Sequence, residues 1–276
     1  MKASLIVYIK HDAKSVPLLV EALKQQTEKD FEVIFAQDGC DENVTKILRE
    51  TEKQQALLMT HLFSKEKDYK REVMLNKAIV EAKSDYLIFI EEGSIPHPKF
   101  IEEHIRLSKY GKVVAARTAT LSNELFSEVT QDMLSSRKMH LYMLGKAVRG
   151  KVKNSSELFR ITNGFLRHFI LSDVWQGLSS DNFSLYKEDI LSVNGFDERF
   201  DAKTEESDFD LELRLMRQGI FTKEERQIAT LYKISSVEPL KTTPVATSIL
   251  EESNTKNHSW TPYGIEKREV LRSDDD

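Results

Sequence analysis

The chain is predicted to fold as an α/β protein, with a mostly parallel central sheet and helices on both of its faces. Short apolar runs rich in β-branched and aromatic residues alternate with segments whose apolar residues recur at helical spacing, and turn residues punctuate the boundaries. One of the runs, Tyr86 to Ile90, is apolar throughout, as a strand buried on both sides requires.

Ala3 to Ile9 reads as the first strand. Val16, Leu19, Val20 and Leu23 then mark a helix face, with Pro17 tolerated in the first turn. Phe31 to Ala36 repeats the strand signal and stops at Asp38-Gly39, after which Asp41 to Thr51 reads as a second helix. Leu57 to Phe63 is a third strand, and Glu72 to Ala82 a helix with Leu75, Ala78, Ile79 and Ala82 on one face. Tyr86 to Ile90 follows as the fourth strand. Ligands of such sheets sit beyond the carboxyl ends of the strands, so Lys10 to Asp12, Gln37 to Asp41 and Glu91 to Ser94 are the informative loops.

From Leu121 to Ser180 the alternation fades and an irregular segment is expected. Between Arg137 and Ile170 eight Lys or Arg residues stand against one acid, Glu157. Two readings fit that stretch: a solvated helical face with snorkelling side chains, or contact with an anionic membrane surface or anionic acceptor. Thr204 to Gln218 is a capped helix closed by Gly219, with Phe209, Leu213, Met216 and Ile220 on one face.

Composition narrows the function. A net charge of −5 and a pI near 5.9 argue against a general nucleic-acid binder. A single cysteine, Cys40, offers no disulfide framework and suits a reducing compartment. No run approaches the roughly 18 apolar residues that span a bilayer, so the expectation is a cytoplasmic protein, peripheral at most to the inner membrane face through residues 137–170.

The order of motifs resembles glycosyltransferase family 2, of the bacterial cell-surface polysaccharide type, with its GT-A fold, over nearly the whole chain. Ser4-Leu-Ile-Val-Tyr-Ile-Lys-His-Asp12 is similar to that family's first strand and nucleotide loop, and Asp30-Phe-Glu-Val-Ile-Phe-Ala-Gln-Asp38-Gly39 to its second. Leu75-Asn76-Lys77-Ala78-Ile79 with Ser84-Asp85-Tyr86 resembles the helix and strand leading to the acidic metal motif. Asn182-Phe-Ser184 with Val193-Asn-Gly-Phe-Asp-Glu198 is the most specific match, and Asp208-Phe-Asp-Leu-Glu-Leu-Arg214 resembles the acceptor-side acidic helix.

The resemblance implies one domain over residues 1–276: a nucleotide-binding half (1–120), an acceptor-side half (121–235) and a C-terminal extension (236–276). It implies inverting transfer of a sugar from a UDP-sugar to a glycan or lipid-linked acceptor. Such transfer needs charge compensation on the departing diphosphate and a base for the acceptor hydroxyl. Asp38 and Asp12 then belong to the nucleotide, Arg71 and Asn76 to the donor side, Glu91 and Glu92 to a divalent cation (Mn or Mg), Asn182 and Asp197 to the acceptor side, and Asp208 is the general base. Four of them have a plainer alternative. Asp38 fits an Asx turn before Gly39, Arg71 an exposed charge, Asn76 a polar helix surface, and Asp208 an acid favoured by the helix dipole. Asp210 and Arg214, four apart, suit a surface pair.

The chain departs from the family at three presumed metal positions. Where Asp-x-Asp is expected it reads Glu91-Glu92-Gly93, the acidic pair before the later helix is Ser207-Asp208, and Thr230 stands where relatives place a histidine. Losing hard ligands should weaken a cation, unless Lys233, Arg71 or Lys70 substitutes electrostatically. The rival reading is a member that binds nucleotide-sugar or glycan without turnover. A dinucleotide enzyme is excluded by the glycine-free stretch Tyr8 to Val16. A P-loop enzyme fails for want of its loop, and a Cys40 nucleophile has only the Asp38-Gly-Cys-Asp41 loop behind it.

Overall fold

The apolar runs become strands because fully buried backbone must pair its own N–H and C=O groups. A computed structural model describes residues 1–10, 13–39, 41–63, 70–158, 177–179, 181–200, 204–235 and 242–267. Asp12, Cys40, Arg160 and Arg167 therefore lie outside the described residues.

Strands β1 (Ala3–Ile9), β2 (Phe31–Gln37) and β4 (Tyr86–Glu91) are buried at every position. They pair in parallel with one another, and β3 (Met59–Phe63) extends the sheet beside β2. With β6 (Lys112–Ala116), β9 (Asn182–Tyr186) and β10 (Phe221–Glu225) the order is β10-β6-β9-β4-β1-β2-β3. Only β9 runs against its neighbours β4 and β6 in this sheet. A second sheet, of order β5-β11-β7-β8, joins β5 (Ser94–Pro96), β11 (Leu231–Ile234), β7 (Thr118–Leu121) and β8 (Val152–Lys153).

Both faces of the large sheet are covered. Ala3, Leu5, Val7 and Ile9 pack with helices α1 (Val16–Lys24), α2 (Glu42–Lys53) and α4 (Phe100–Leu107). Ile6 and Tyr8, of opposite parity, pack with α3 (Arg71–Glu81) and with residues that follow β9. The middle of the chain is more regular than expected as far as residue 158. There α5 (Asn123–Ser127), α6 (Gln131–Ser135) and α7 (Met139–Val148) cover the second sheet through Leu125, Leu134, Met139 and Met143.

After α8 (Lys187–Ser192) the chain turns through Asn194 and Gly195, both at positive φ. A Cβ on Gly195 would lie 2.4 Å from Asn76 Oδ1, so the close approach as well as the turn demands glycine. Helix α9 (Glu205–Arg217) starts at Thr204, whose hydroxyl accepts from Ser207 N. Its packing corrects the sequence reading: Phe209 and Met216 are 47% and 46% exposed, while Leu211 and Leu215 are fully buried. The buried face is part polar, and its polar groups satisfy one another. Asp210 and Arg214 do pair, at 2.8 Å, but inside the protein, where Arg214 also donates to the carbonyls of Val193 and Gly195. Helix α10 (Pro244–Lys256) packs on α9, and no helix among the described residues is long and apolar enough to cross a membrane.

Candidate functional site

Strand alternation sends every second side chain to one face, and at the carboxyl ends of β1, β2 and β4 it directs Tyr8, Asp38 and Glu91 the same way. Tyr8 lies opposite both Ala36 and Glu91 in the pairing register. The face they share is the one covered by α3 and α9, whose N-terminal turns bring Arg71, Glu72, Ser207 and Asp208.

The result is a buried chain of polar contacts. Tyr8 Oη donates to Asp38 Oδ2 at 2.9 Å. Burial, then the neighbouring Asp38 charge, push the Tyr8 phenol well above its ordinary pKa, so it remains a donor. Arg71 lies 5.8 Å from the Tyr8 ring centroid and equally far from that of Phe196. Its guanidinium meets Glu91 at 3.2 Å, Glu72 at 3.1 Å and Asp208 at 3.6 Å. Burial alone would favour the neutral form, but Glu91, Asp208 and Glu72 outweigh it and hold Arg71 charged. Burial raises the pKa of Glu72, opposed by Arg71 and by the Ser207 hydroxyl, which donates to it at 2.8 Å.

Strand β11 supplies a second cation. Antiparallel pairing sets Lys233 opposite Ser94, and its ammonium reaches Glu91 Oε2 at 3.1 Å and also contacts Asp181. Asp181 in turn lines a polar cavity of about 190 Å³ with Arg117, Asn154, Ser179 and Arg226.

The structure thus unites Asp38, Arg71, Glu91 and Asp208, the last three in direct contact. Other residues predicted from the sequence are used differently. Asn76 donates to Phe196 O and Glu198 Oε1 and accepts from Phe196 N, so its amide clamps the turn after α8. Asn182 bridges His104 and Ala229 O inside the core. Asp197 binds Arg199 and Thr261 beside a separate cavity of about 320 Å³ that also touches Glu252, Trp260 and Tyr263. Glu92 accepts from Lys10 N at 2.8 Å, fastening the exit of β1. Tyr8, Glu72 and Asp181 were not singled out from the sequence. Tyr8 was hidden inside an apolar run, while the acids Glu72 and Asp181 stand at element boundaries, a signal that could have marked them.

A divalent cation does not suit the donor set. Both oxygens of Glu91 face a cation, Gly93 has no side chain, and Thr230 is buried with its hydroxyl donating to Glu157 O. Among the described residues no group of three or more His, Cys, Asp or Glu side chains comes together to hold a metal.

Comparison with known proteins bears on the fold and the family. A chondroitin synthase of Escherichia coli is 23% identical over 228 residues, covering 79% of this chain but only 32% of that protein. Among solved structures, S. aureus TarS 1-349 in complex with UDP superposes with a TM-score of 0.56 at 16% identity, over 86% of this chain and 61% of that one. GalNAc-T7 with UDP, GalNAc and Mn2+ gives 0.61 at 10% identity, over 90% and 47%. The mannosyltransferase PcManGT from Pyrobaculum calidifontis, in complex with GDP-Man and Mn2+, gives 0.56 at 11% identity, over 91% and 68%. These likenesses establish the GT-A fold. The model of the family described as "Glycosyl transferase family 2" matches residues 4–175, more than half of the sequence, and the chain belongs to that family.

Proposed function

We propose that this protein transfers a sugar from a UDP-sugar to a glycan or lipid-linked acceptor, with inversion. The observation that carries the reading is the convergence of Asp38, Arg71, Glu91 and Asp208 at the carboxyl edge of the parallel strands. UDP accompanies the similar TarS and GalNAc-T7 structures. In this reading Asp38, with Asp12, receives the nucleoside, and the base edge finds an acceptor already oriented by Tyr8. Arg71 and Lys233 face the diphosphate.

The chemistry is a single displacement. The acceptor oxygen forms a bond to the anomeric carbon from one side while the bond to the diphosphate breaks on the other, the diphosphate leaving with the electron pair. Asp208 takes the acceptor proton. Its position in the first turn of α9 supports that role, since the helix start and Arg71 fix its carboxylate where strands and helix meet.

The lipid-linked acceptor is favoured by α7, where Leu141 and Val148 are exposed beside the basic residues Lys138 and Arg149. Sedimentation with anionic vesicles checks that contact, and indifference to them would remove it. One observation favours the rival, a member that binds without turnover: Asp208 already faces Arg71, as a purely structural ion pair would. Turnover with an identified acceptor separates the two. Asp208→Asn should keep UDP affinity and lower kcat by roughly 10²–10⁴-fold, and unchanged turnover would end the base assignment.

A further inference from the structure

Two of the similar solved structures contain Mn2+ together with a nucleotide-sugar or its parts, whereas in this chain the acid that closes β4 already has cationic side chains on both of its oxygens. Glu91 ends β4, and its two carboxylate oxygens are divided between Arg71, at 3.2 Å, and Lys233, at 3.1 Å. The same ammonium contacts Asp181, so Lys233 bridges two hard carboxylates in the manner of a divalent ion. The loop beyond is committed to the fold: Glu92 accepts from Lys10 N at 2.8 Å. Gly93 N donates to Ser15 Oγ, Gly93 O accepts from Ile234 N, and the loop is pinned by the pairing of β5 with β11.

We propose that Lys233 is a built-in cation that takes the place of a divalent metal, so that the cleft holds a nucleoside diphosphate without one. The proposal rests on the donor-site reading above. An ammonium within hydrogen-bonding reach of Glu91 and Asp181 and a metal held by both exclude each other by space and by charge. Lysine suits the task because its compact charge carries three N–H donors, two of which meet Glu91 and Asp181. The third is a donor for a phosphate oxygen, as lysine serves in other phosphate sites. Arg71 reinforces it from the far side of Glu91, giving two fixed positive groups about one carboxylate. Strand β11 makes the position rigid: Leu231, Tyr232 and Lys233 pair on one side with β5 and on the other with β7.

The test is calorimetry with UDP on the full chain, in EDTA and in Mn²⁺, for the native protein and for Lys233→Ala and Lys233→Gln. Native protein should bind UDP with affinities that differ by less than about threefold between the two conditions. Both variants should lose about tenfold or more in EDTA, and Mn²⁺ should restore Lys233→Ala, because Glu91 and Asp181 are then released to a metal. Thermal melting of the two variants, one neutral and truncated and one neutral and long, separates lost binding from lost folding. Binding by the native protein only in Mn²⁺ would overturn the proposal while leaving the donor site standing, and so would variants that bind as the native chain does in EDTA. No UDP binding in either condition would remove the donor site itself, and this inference with it.

Discussion

Single side chains decide whether the strand edge is a binding site. Asp38 is buried at the end of β2, and one of its oxygens accepts a hydrogen bond from the Tyr8 hydroxyl. A charged hydrogen bond to a base is worth about 1.5–3 kcal/mol, so Asp38→Ala should weaken UDP binding by roughly tenfold to a hundredfold in calorimetry. Unchanged affinity would move the nucleoside elsewhere. Tyr8 shows why part of this site was illegible in the sequence. In a run buried on both faces, side-chain parity leaves no polar alternation to read, and Tyr8 looks like one more core residue until its register with Glu91 is known. Asn76 and Asn182 show the converse. Both stand in recognisable motifs, but motif membership does not separate a side chain that meets a ligand from one that braces the loop or the core.

Among the elements, the strands were legible and the faces of α9 were not. β1, β2 and β4 appear within a residue of the expected bounds, and β3 begins at Met59, two residues later than the pattern suggested. Helix α9 misled because its core-facing side carries polar groups: Ser207 and Asp208 pair with α3, Asp210 with Arg214 on the same helix, and Arg214 also with the turn after α8. Of the apolar residues on the expected face, Phe209 and Met216 are exposed and Leu213 is half-buried, while Ile220, just past the helix, joins the core. This reassignment has a stability consequence. Leu215→Ala, at a fully buried position, should cost about 2–5 kcal/mol in chemical denaturation. Met216→Ala, one residue on and half exposed, should stay within about 0.5 kcal/mol. Equal losses would restore the original face. Arg214 reaches the Val193 and Gly195 carbonyls from the same helix, so α9 holds Asp208 at one end and the Asn194-Gly195 turn along its length.

The whole molecule depends on a core that tolerates few protons. His104 is fully buried between Ser184 and Asn182, and burial pushes its pKa down to about 4, opposed by Asn182. His61, bonded to Gln37, is likewise lowered to about 4, by burial and then by the Arg49 charge. Because these folded values lie below the ordinary histidine range, the unfolded chain binds the proton first as the pH falls. Stability is intact above about pH 6.5 and is lost between there and pH 4, by on the order of 3 kcal/mol for a fully buried histidine. His104→Gln should flatten that part of the denaturation profile, and an unaltered slope would contradict the assignment. At this scale the α/β class and the family were legible, since both depend on the order of elements along the chain. The junction of β4, α3, α9 and β11 was legible only as a set of residues, Arg71, Glu91, Asp208 and Lys233; their pairwise contacts, between positions as distant as 71 and 233, do not follow from the order of elements. That junction is tested most directly by hydrogen exchange of the full chain with and without saturating UDP. Slowed exchange at the carboxyl ends of β1, β2 and β4 and in the first turns of α3 and α9 is the predicted result, and protection confined to the cavity between α9 and α10 would contradict it.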